Sequence, residues 1–236
     1  MFKTVKVVAI DGPAGSGKST VSKLVAEKLG FIYVDTGAMY RALTFKVMKN
    51  NISFAEEDKI VEIAGTFDLK LLPSRVKGTS VCVILDGEDV SREIRRSEVT
   101  GNVKYLAKIA KVRENMVKFQ RRMIKGMGGV VMEGRDIGTV VLPEAKYKFY
   151  LDASFDERVN RRFQELRAQG DLITREEVAE NLKQRDHSDK TREVGPLKKA
   201  KDAVFVDTTD FSIEEVIDKI VEIVEADPRA PMNSLR

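Results

Sequence analysis

Two rhythms run along this chain. Apolar runs of four to six residues stop at glycines or acids, and between them apolar positions recur every three or four residues. The first run, VKVVAI (5–10), predicts a buried strand leading into a glycine-rich turn. Val21, Leu24, Val25 and Leu29 then follow at helical spacing, and Gly30 closes that helix. FIYV (31–34) predicts a second strand, and DTGAMYRALTFKVMKN a helix opened by an Asp-Thr cap. SFAEEDKIVEIAG (53–65) reads as a further helix, capped by Ser53 with acids in its first turn.

Near residue 66 the texture changes. FDLKLL, the loop PSRVKGT, SVCVIL and the turn DGEDV alternate apolar and polar positions, which predicts a small antiparallel excursion over about 66–92. Helical spacing returns in EVTGNVKYLAKIA and VRENMVKFQRRMIK. GGVVMEGRD then holds a buried strand ending at an acid-glycine-arginine turn, and YKFYLDA (147–153) holds another. From 154 to about 201 the pattern is helical and heavily charged, with seven arginines between 158 and 192. AVFVDTT (203–209) is the last strand and FSIEEVIDKIVEIVEA the last amphipathic helix, followed by a tail, DPRAPMNSLR, expected to fray. Strands alternating with helices imply an α/β fold, a parallel sheet covered on both faces. Ligands of such sheets bind at the carboxyl ends of strands. The glycine loop, DTGAMYR and EGRD all sit at such ends, so they are expected to converge.

Composition narrows the class. The 236 residues, 42% hydrophobic and 33% charged, suit one domain with a sizeable core. No apolar run nears the roughly 18–20 residues of a membrane helix, and MFKTVKVVAIDG lacks the pattern of a signal peptide. The single cysteine, Cys82, excludes an internal disulfide, fits a reducing cytoplasm and reads as a small buried strand residue. A net charge of +4, with arginines clustered beside particular motifs, argues for local phosphate sites and against a nucleic-acid partner. No exposed apolar helix repeat invites a second copy, so a monomer is expected.

Gly12-Pro13-Ala14-Gly15-Ser16-Gly17-Lys18-Ser19 satisfies G-x-x-x-x-G-K-[ST] between a strand and a helix. Glycines let successive N–H groups turn inward as an anion nest, and the following helix adds its N-terminal charge. Lys18 would reach the β- and γ-phosphates, and the Ser19 hydroxyl would sit on Mg²⁺. The chain has no D-x-x-G and no N-K-x-D, which disfavours a hydrolytic switch. A kinase needs a second anion site instead. Arg41, six residues past Asp35, and Arg135, at the end of a strand, suit bidentate capture of an acceptor phosphate. A monophosphate, with its second pKa near 6, arrives mostly ionised and needs no base. A hydroxyl acceptor such as shikimate would need one, and Asp35, Glu133 or Asp136 could serve. The only histidine, His187, reads as a bystander. Arg185, Asp189 and Arg192 lie four and three residues apart, on one face of a charged flap that would close over the phosphates.

Taken together, IDGPAGSGKST, DTGAMYRA, LDGEDVSREIR, VR at 112–113, EGRDIGTVVLP, LDAS and the R-D-x-x-D-x-x-R of 185–192 closely resemble the bacterial cytidylate kinases, the (d)CMP kinase group of nucleoside monophosphate kinases. The resemblance spans nearly the whole chain. It implies a P-loop core (1–35, 129–157, 202–226), a nucleotide-accepting region (36–128) containing the antiparallel piece, and a helical lid (about 158–201). ATP, with Mg²⁺, would be held by Gly12, Pro13, Ala14, Gly15, Ser16, Gly17, Lys18, Ser19 and Thr20. CMP and dCMP would be the acceptors, with UMP or AMP as alternatives. Thr36, Arg41 and Arg135 would face the acceptor phosphate, while Arg113 and Asp136 would read the cytosine edge. Arg185, Asp189 and Arg192 would close on the pentose and phosphates, and Arg158 would join the transfer site. Lys104 stands where the family usually carries a serine near the base. Arg96 and Ser188 also depart from the expected threonine and arginine.

Overall fold

The computed structural model describes residues 5–73, 81–168 and 170–226. In chain order, β1 (Lys6–Asp11) leads through the glycine loop into α1 (Lys18–Leu29), and β2 (Ile32–Asp35) runs straight into α2 (Thr36–Lys49). Then come α3 (Glu57–Thr66), the short strands β3 (Leu69–Pro73), β4 (Val81–Leu85) and β5 (Glu88–Asp89), and helices α4 (Ser97–Ala107) and α5 (Ala110–Met123). The chain returns to the main sheet with β6 (Gly129–Gly134) and β7 (Tyr147–Asp152), leaves it for α6 (Phe155–Ala168) and α7 (Arg175–Thr191), and ends with β8 (Val204–Asp207) and α8 (Ile213–Glu225).

Five strands form one sheet in the order β2-β6-β1-β7-β8, and every pairing in it is parallel. The continuous apolar runs of β1 and β6 follow from burial on both faces. Val8, Ala9, Ile10, Val130, Val131 and Met132 are all fully buried. Because strand side chains alternate, Ala9, Val130 and Met132 enter a core shared with α2, α3, α5 and the small sheet. Val8, Ile10 and Val131 point the other way, into a core with α1, β7 and α8. The antiparallel piece therefore packs on the same core as one face of the parallel sheet.

The small sheet has the order β3-β4-β5, as the alternating pattern predicts. Asp86 and Gly87 both have positive φ (50° and 87°), the backbone of a tight hairpin turn between β4 and β5. Cys82 lies on the half-exposed face of β4 rather than in the core. The loop PSRVKGT, from residue 74, and the tail after 226 lie outside the described residues.

Two helix boundaries differ from the sequence reading. Ser53 does not cap α3, which starts four residues later; its hydroxyl accepts from the Ala55 N–H in a separate turn. The helical pattern of 154–201 ends at Thr191, and 192–203 is irregular chain leading back to the sheet. Residues 137–141 form a π-helical turn that periodicity does not announce. Its free ends are met by side chains: the Asp11 carboxylate accepts from Ile137 N and Gly138 N (both 2.8 Å), and Arg121 donates to the Val140 and Val141 carbonyls (2.9 and 2.7 Å). No helix among the described residues is long and apolar enough to cross a membrane.

Candidate functional site

The glycine loop is held open by bonds to its carbonyls. Lys18 Nζ donates to Pro13 O (3.0 Å), Arg158 Nη1 to Ala14 O (3.1 Å), and Thr208 Oγ1 to Ser16 O (3.2 Å). A Cβ on Gly12 would run into the Leu151 carbonyl. Gly17 caps α1 with φ 79°, and no side chain caps that helix, so its first amides remain for an anion. The Ser16 hydroxyl is buried without a partner, a second sign that the loop fits a ligand. Burial and the nearby Arg135 push the Lys18 ammonium down to about 7, with Glu133 and Asp189 opposing.

Ser19 Oγ donates to Glu133 Oε2 at 3.0 Å, and Tyr33 OH donates to the other oxygen, Oε1. Glu133 is buried at the end of β6, and burial together with Asp35 raises its carboxyl above the usual range. This pair of hard oxygens suits Mg²⁺, which keeps several waters and takes its remaining ligands from phosphates. Among the described residues no group of three or more His, Cys, Asp or Glu side chains forms a closed metal cage.

Across the sheet edge lies a cluster of arginines. Asp35 caps α2 through Ala38 N (2.8 Å) and pairs with Arg41 (3.0 Å), whose Nε is buried without a partner. Thr36 Oγ1 donates to Glu133 O (2.6 Å), which locks the start of α2 to the end of β6. Arg135 Nε donates to Asp189 Oδ2 (2.8 Å), joining that strand end to α7. Arg185 has no ion-pair partner among the described residues. Burial, with Arg135 and Arg41 nearby, pulls its guanidinium down to about 10. Lys18, Arg41, Arg135 and Arg185 therefore share one electrostatic field, in which Asp189 and Glu133 are the principal opposing charges.

A third group lies beside the arginines. Arg113 is 2% exposed and donates Nη2 to Asp136 Oδ2. Its guanidinium lies 5.6 Å from the Tyr40 ring, whose hydroxyl burial pushes up to about 12. Arg192 has left the helix, as the residue after α7, yet its Nη1 still reaches Asp189 (3.3 Å). Its Nε donates to Gly195 O (2.6 Å), and the backbone at Gly195 (φ 58°) lies against the Arg113–Asp136 pair so closely that a Cβ would overlap both. This juxtaposition closes the site with chain beyond the predicted helix.

Most of the residues singled out in the sequence therefore meet. Lys104 does not. It is exposed on α4 with its ammonium 5.2 Å from the Tyr105 ring, so nothing ties it to the Arg113–Asp136 pair. Arg158 meets the glycine loop: buried, it donates to Ala14 O and pairs with Asp186 on α7 (2.7 Å), so it ties that loop to α7. Thr20 and His187 are exposed. Sequence reasoning passes over Asp11, Tyr33 and Tyr40. Tyr33 and Asp11 sit in strand ends, where the only signal is a polar group interrupting an apolar run.

The sequence model of the cytidylate kinase family matches residues 8–226. A cytidylate kinase from Caldanaerobacter subterraneus subsp. tengcongensis is 50% identical over 221 residues, covering 94% of this chain and 95% of that protein. One from Bacillus subtilis is 47% identical over 222 residues, covering 94% of this chain and 97% of that protein. Among solved structures, an uncharacterized protein from Eubacterium ventriosum matches 94% of this chain and 99% of its own, with a TM-score of 0.50 and 11% identity, a likeness of fold alone.

Proposed function

The chain belongs to the cytidylate kinase family, and from that premise we propose that it transfers the γ-phosphate of ATP to CMP and dCMP, giving ADP and the diphosphate. The observation that carries the choice of acceptor is the state of the three carboxylates that could act as bases. Asp35 is engaged by Ala38 N and Arg41, Glu133 by Tyr33 and Ser19, and Asp136 by Arg113. A hydroxyl acceptor needs a positioned base, and each of these carboxylates already orients a protein group. An ionised monophosphate needs only positioning and charge neutralisation, which the arginine cluster offers.

In this reading the loop amides and Lys18 hold the donor phosphates, and Arg41, Arg135 and Thr36 orient the acceptor phosphate. Arg113 donates to the cytosine edge and Asp136 accepts from it. Arg185 and Arg192, carried on the lid segment, neutralise charge that spreads over the transferring group. Asp189 aligns Arg135 and Arg192 and faces the pentose. Mg²⁺, held by Ser19 and Glu133 directly or through water, would neutralise the β- and γ-oxygens when bound with the nucleotide. A coupled assay over CMP, dCMP, UMP, AMP, GMP and shikimate is expected to show clear preference for CMP and dCMP. Preference for any other acceptor would overturn this assignment.

The Asp11 carboxylate is the device that holds the acceptor loop, because its two amide bonds fix the turn directly after Asp136. Asp11→Asn replaces one acceptor oxygen by a donor facing an N–H, at a cost of about 1–3 kcal/mol. The expected result is a KM for CMP raised by about tenfold, a KM for ATP changed less, and a lowered melting temperature. Equal rises in both KM values would show that Asp11 serves the glycine loop instead.

A further inference from the structure

Glu133, the penultimate residue of β6, is 2% exposed. A glutamate has several rotatable bonds, so its carboxylate keeps one orientation only if other groups hold it. Among the described residues two side chains do so. Ser19 Oγ, in the first turn of α1, donates to Oε2 (3.0 Å), and Tyr33 OH, on β2, donates to Oε1. The two anchors differ in stiffness. Ser19 is exposed at the mouth of the glycine loop, where an incoming nucleotide reaches it. The Tyr33 ring, in contrast, packs against both cores of the sheet.

The strand register explains how the tyrosine arrives there. Asp35 lies beside Glu133 and Tyr33 beside Val131 in the parallel pairing of β2 with β6. Alternate residues of a strand share a face, so Tyr33, Asp35 and Glu133 stand on the same side of the sheet. Asp35 is spent on Ala38 N and Arg41, and its charge acts against that of Glu133. Tyr33 is therefore the group that fixes the second oxygen of Glu133. A hydroxyl that donates its proton still has lone pairs, so Ser19 can keep its bond to Oε2 while its oxygen faces a metal ion.

We propose that Tyr33 is a positioning residue of the metal site, its hydroxyl holding Glu133 Oε1 so that Oε2 stays turned to Ser19 and to the Mg²⁺ that comes with the nucleotide. This rests on the reading of Ser19 and Glu133 as that site. Tyr33 touches neither substrate; it acts through Glu133 alone, from a ring that the sheet keeps in place.

Metal binding by the full chain tests the assignment. Tyr33→Phe keeps the ring and removes only the oxygen, so the packing of β2 is preserved. Mn²⁺, standing in for Mg²⁺, is titrated into protein saturated with ADP, and free Mn²⁺ is read by electron paramagnetic resonance. The Kd for Mn²⁺ is expected to rise about tenfold, the lower range for losing an outer partner of a metal site. The Kd for ADP in EDTA and the KM for CMP should be unchanged. In a Glu133→Ala background, Tyr33→Phe should have no further effect on the Kd for Mn²⁺, because the group it acts through is gone. A Kd for Mn²⁺ that does not move with Tyr33→Phe would overturn the proposal. So would an undiminished effect in the Glu133→Ala background, or a metal-free ADP Kd that rises in step, which is the behaviour of a merely structural residue. Failure of the underlying reading looks different, because Glu133→Ala alone would then leave Mn²⁺ binding as it is.

Discussion

Lys18→Met is expected to lower kcat by about a thousandfold, the upper range for removing one preorganised charge from a transition state. The side chain is 7% exposed, so methionine, of similar length, fits the space at the cost of the Nζ bond to Pro13 O, while the bonds to Ala14 O and Ser16 O remain to hold the loop. A pH effect accompanies the loss of rate. Burial and Arg135 hold the ammonium at about 7, against 10.5 in water. Above pH 7 the nucleotide-free protein therefore carries a largely neutral Lys18, and an incoming triphosphate would restore its charge. ATP binding at pH 8 should take up close to one proton, and affinity should fall as pH rises above 7. Stability has the matching sign. Between pH 7 and 10.5 the unfolded chain holds a proton that the folded one does not, so stability contributed by this group rises with pH across that window and is lost as pH falls through 7. Calorimetry of ATP binding in two buffers of different ionisation enthalpy measures the uptake, and Lys18→Met should abolish it. No uptake in wild type would mean that Lys18 is already charged in the free protein.

Arg135→Ala is expected to act on the other half of the reaction. The KM for CMP should rise by about 100-fold and kcat should fall, while the KM for ATP stays within about threefold. The size follows from losing charge-assisted hydrogen bonds worth about 1.5–3 kcal/mol. The removal also leaves Asp189 without its 2.8 Å partner, so a carboxylate held low by Arg135, Arg185 and Arg192 against its own burial would lose one of three cations. Arg135→Lys should recover part of kcat and little of the KM, because a point charge cannot grip two oxygens. If Arg135→Ala weakens ATP binding and leaves CMP unaffected, the division into donor and acceptor arginines is wrong.

Much of this protein is legible in its residue pattern. The glycine loop is legible because its chemistry is local: backbone that must turn N–H groups inward needs glycine at particular positions, and Gly12 and Gly17 behave so. The parallel sheet is legible because strands buried on both faces must be apolar throughout, as in β1 and β6. Local sequence is weaker at boundaries. Ser53 has the chemistry of a cap but spends its hydroxyl on a nearer turn, and the charged pattern of 154–201 runs on where α7 does not.

Pairing lies beyond reach of the sequence for a plain reason. Periodicity says which face a residue occupies, never which distant side chain meets it. Arg158 and Arg185 look alike in an arginine-rich segment, yet one is bound to Asp186 and Ala14 O while the other faces the site unpaired. Likewise the family pattern puts Lys104 near the base, whereas α4 turns it outward to Tyr105. The residue pattern is enough to establish a phosphate-binding α/β kinase with arginines at its strand ends, because those features follow from backbone geometry and charge type. Which arginines remain free for a ligand and which carboxylates already hold a protein partner depend on contacts between segments tens of residues apart.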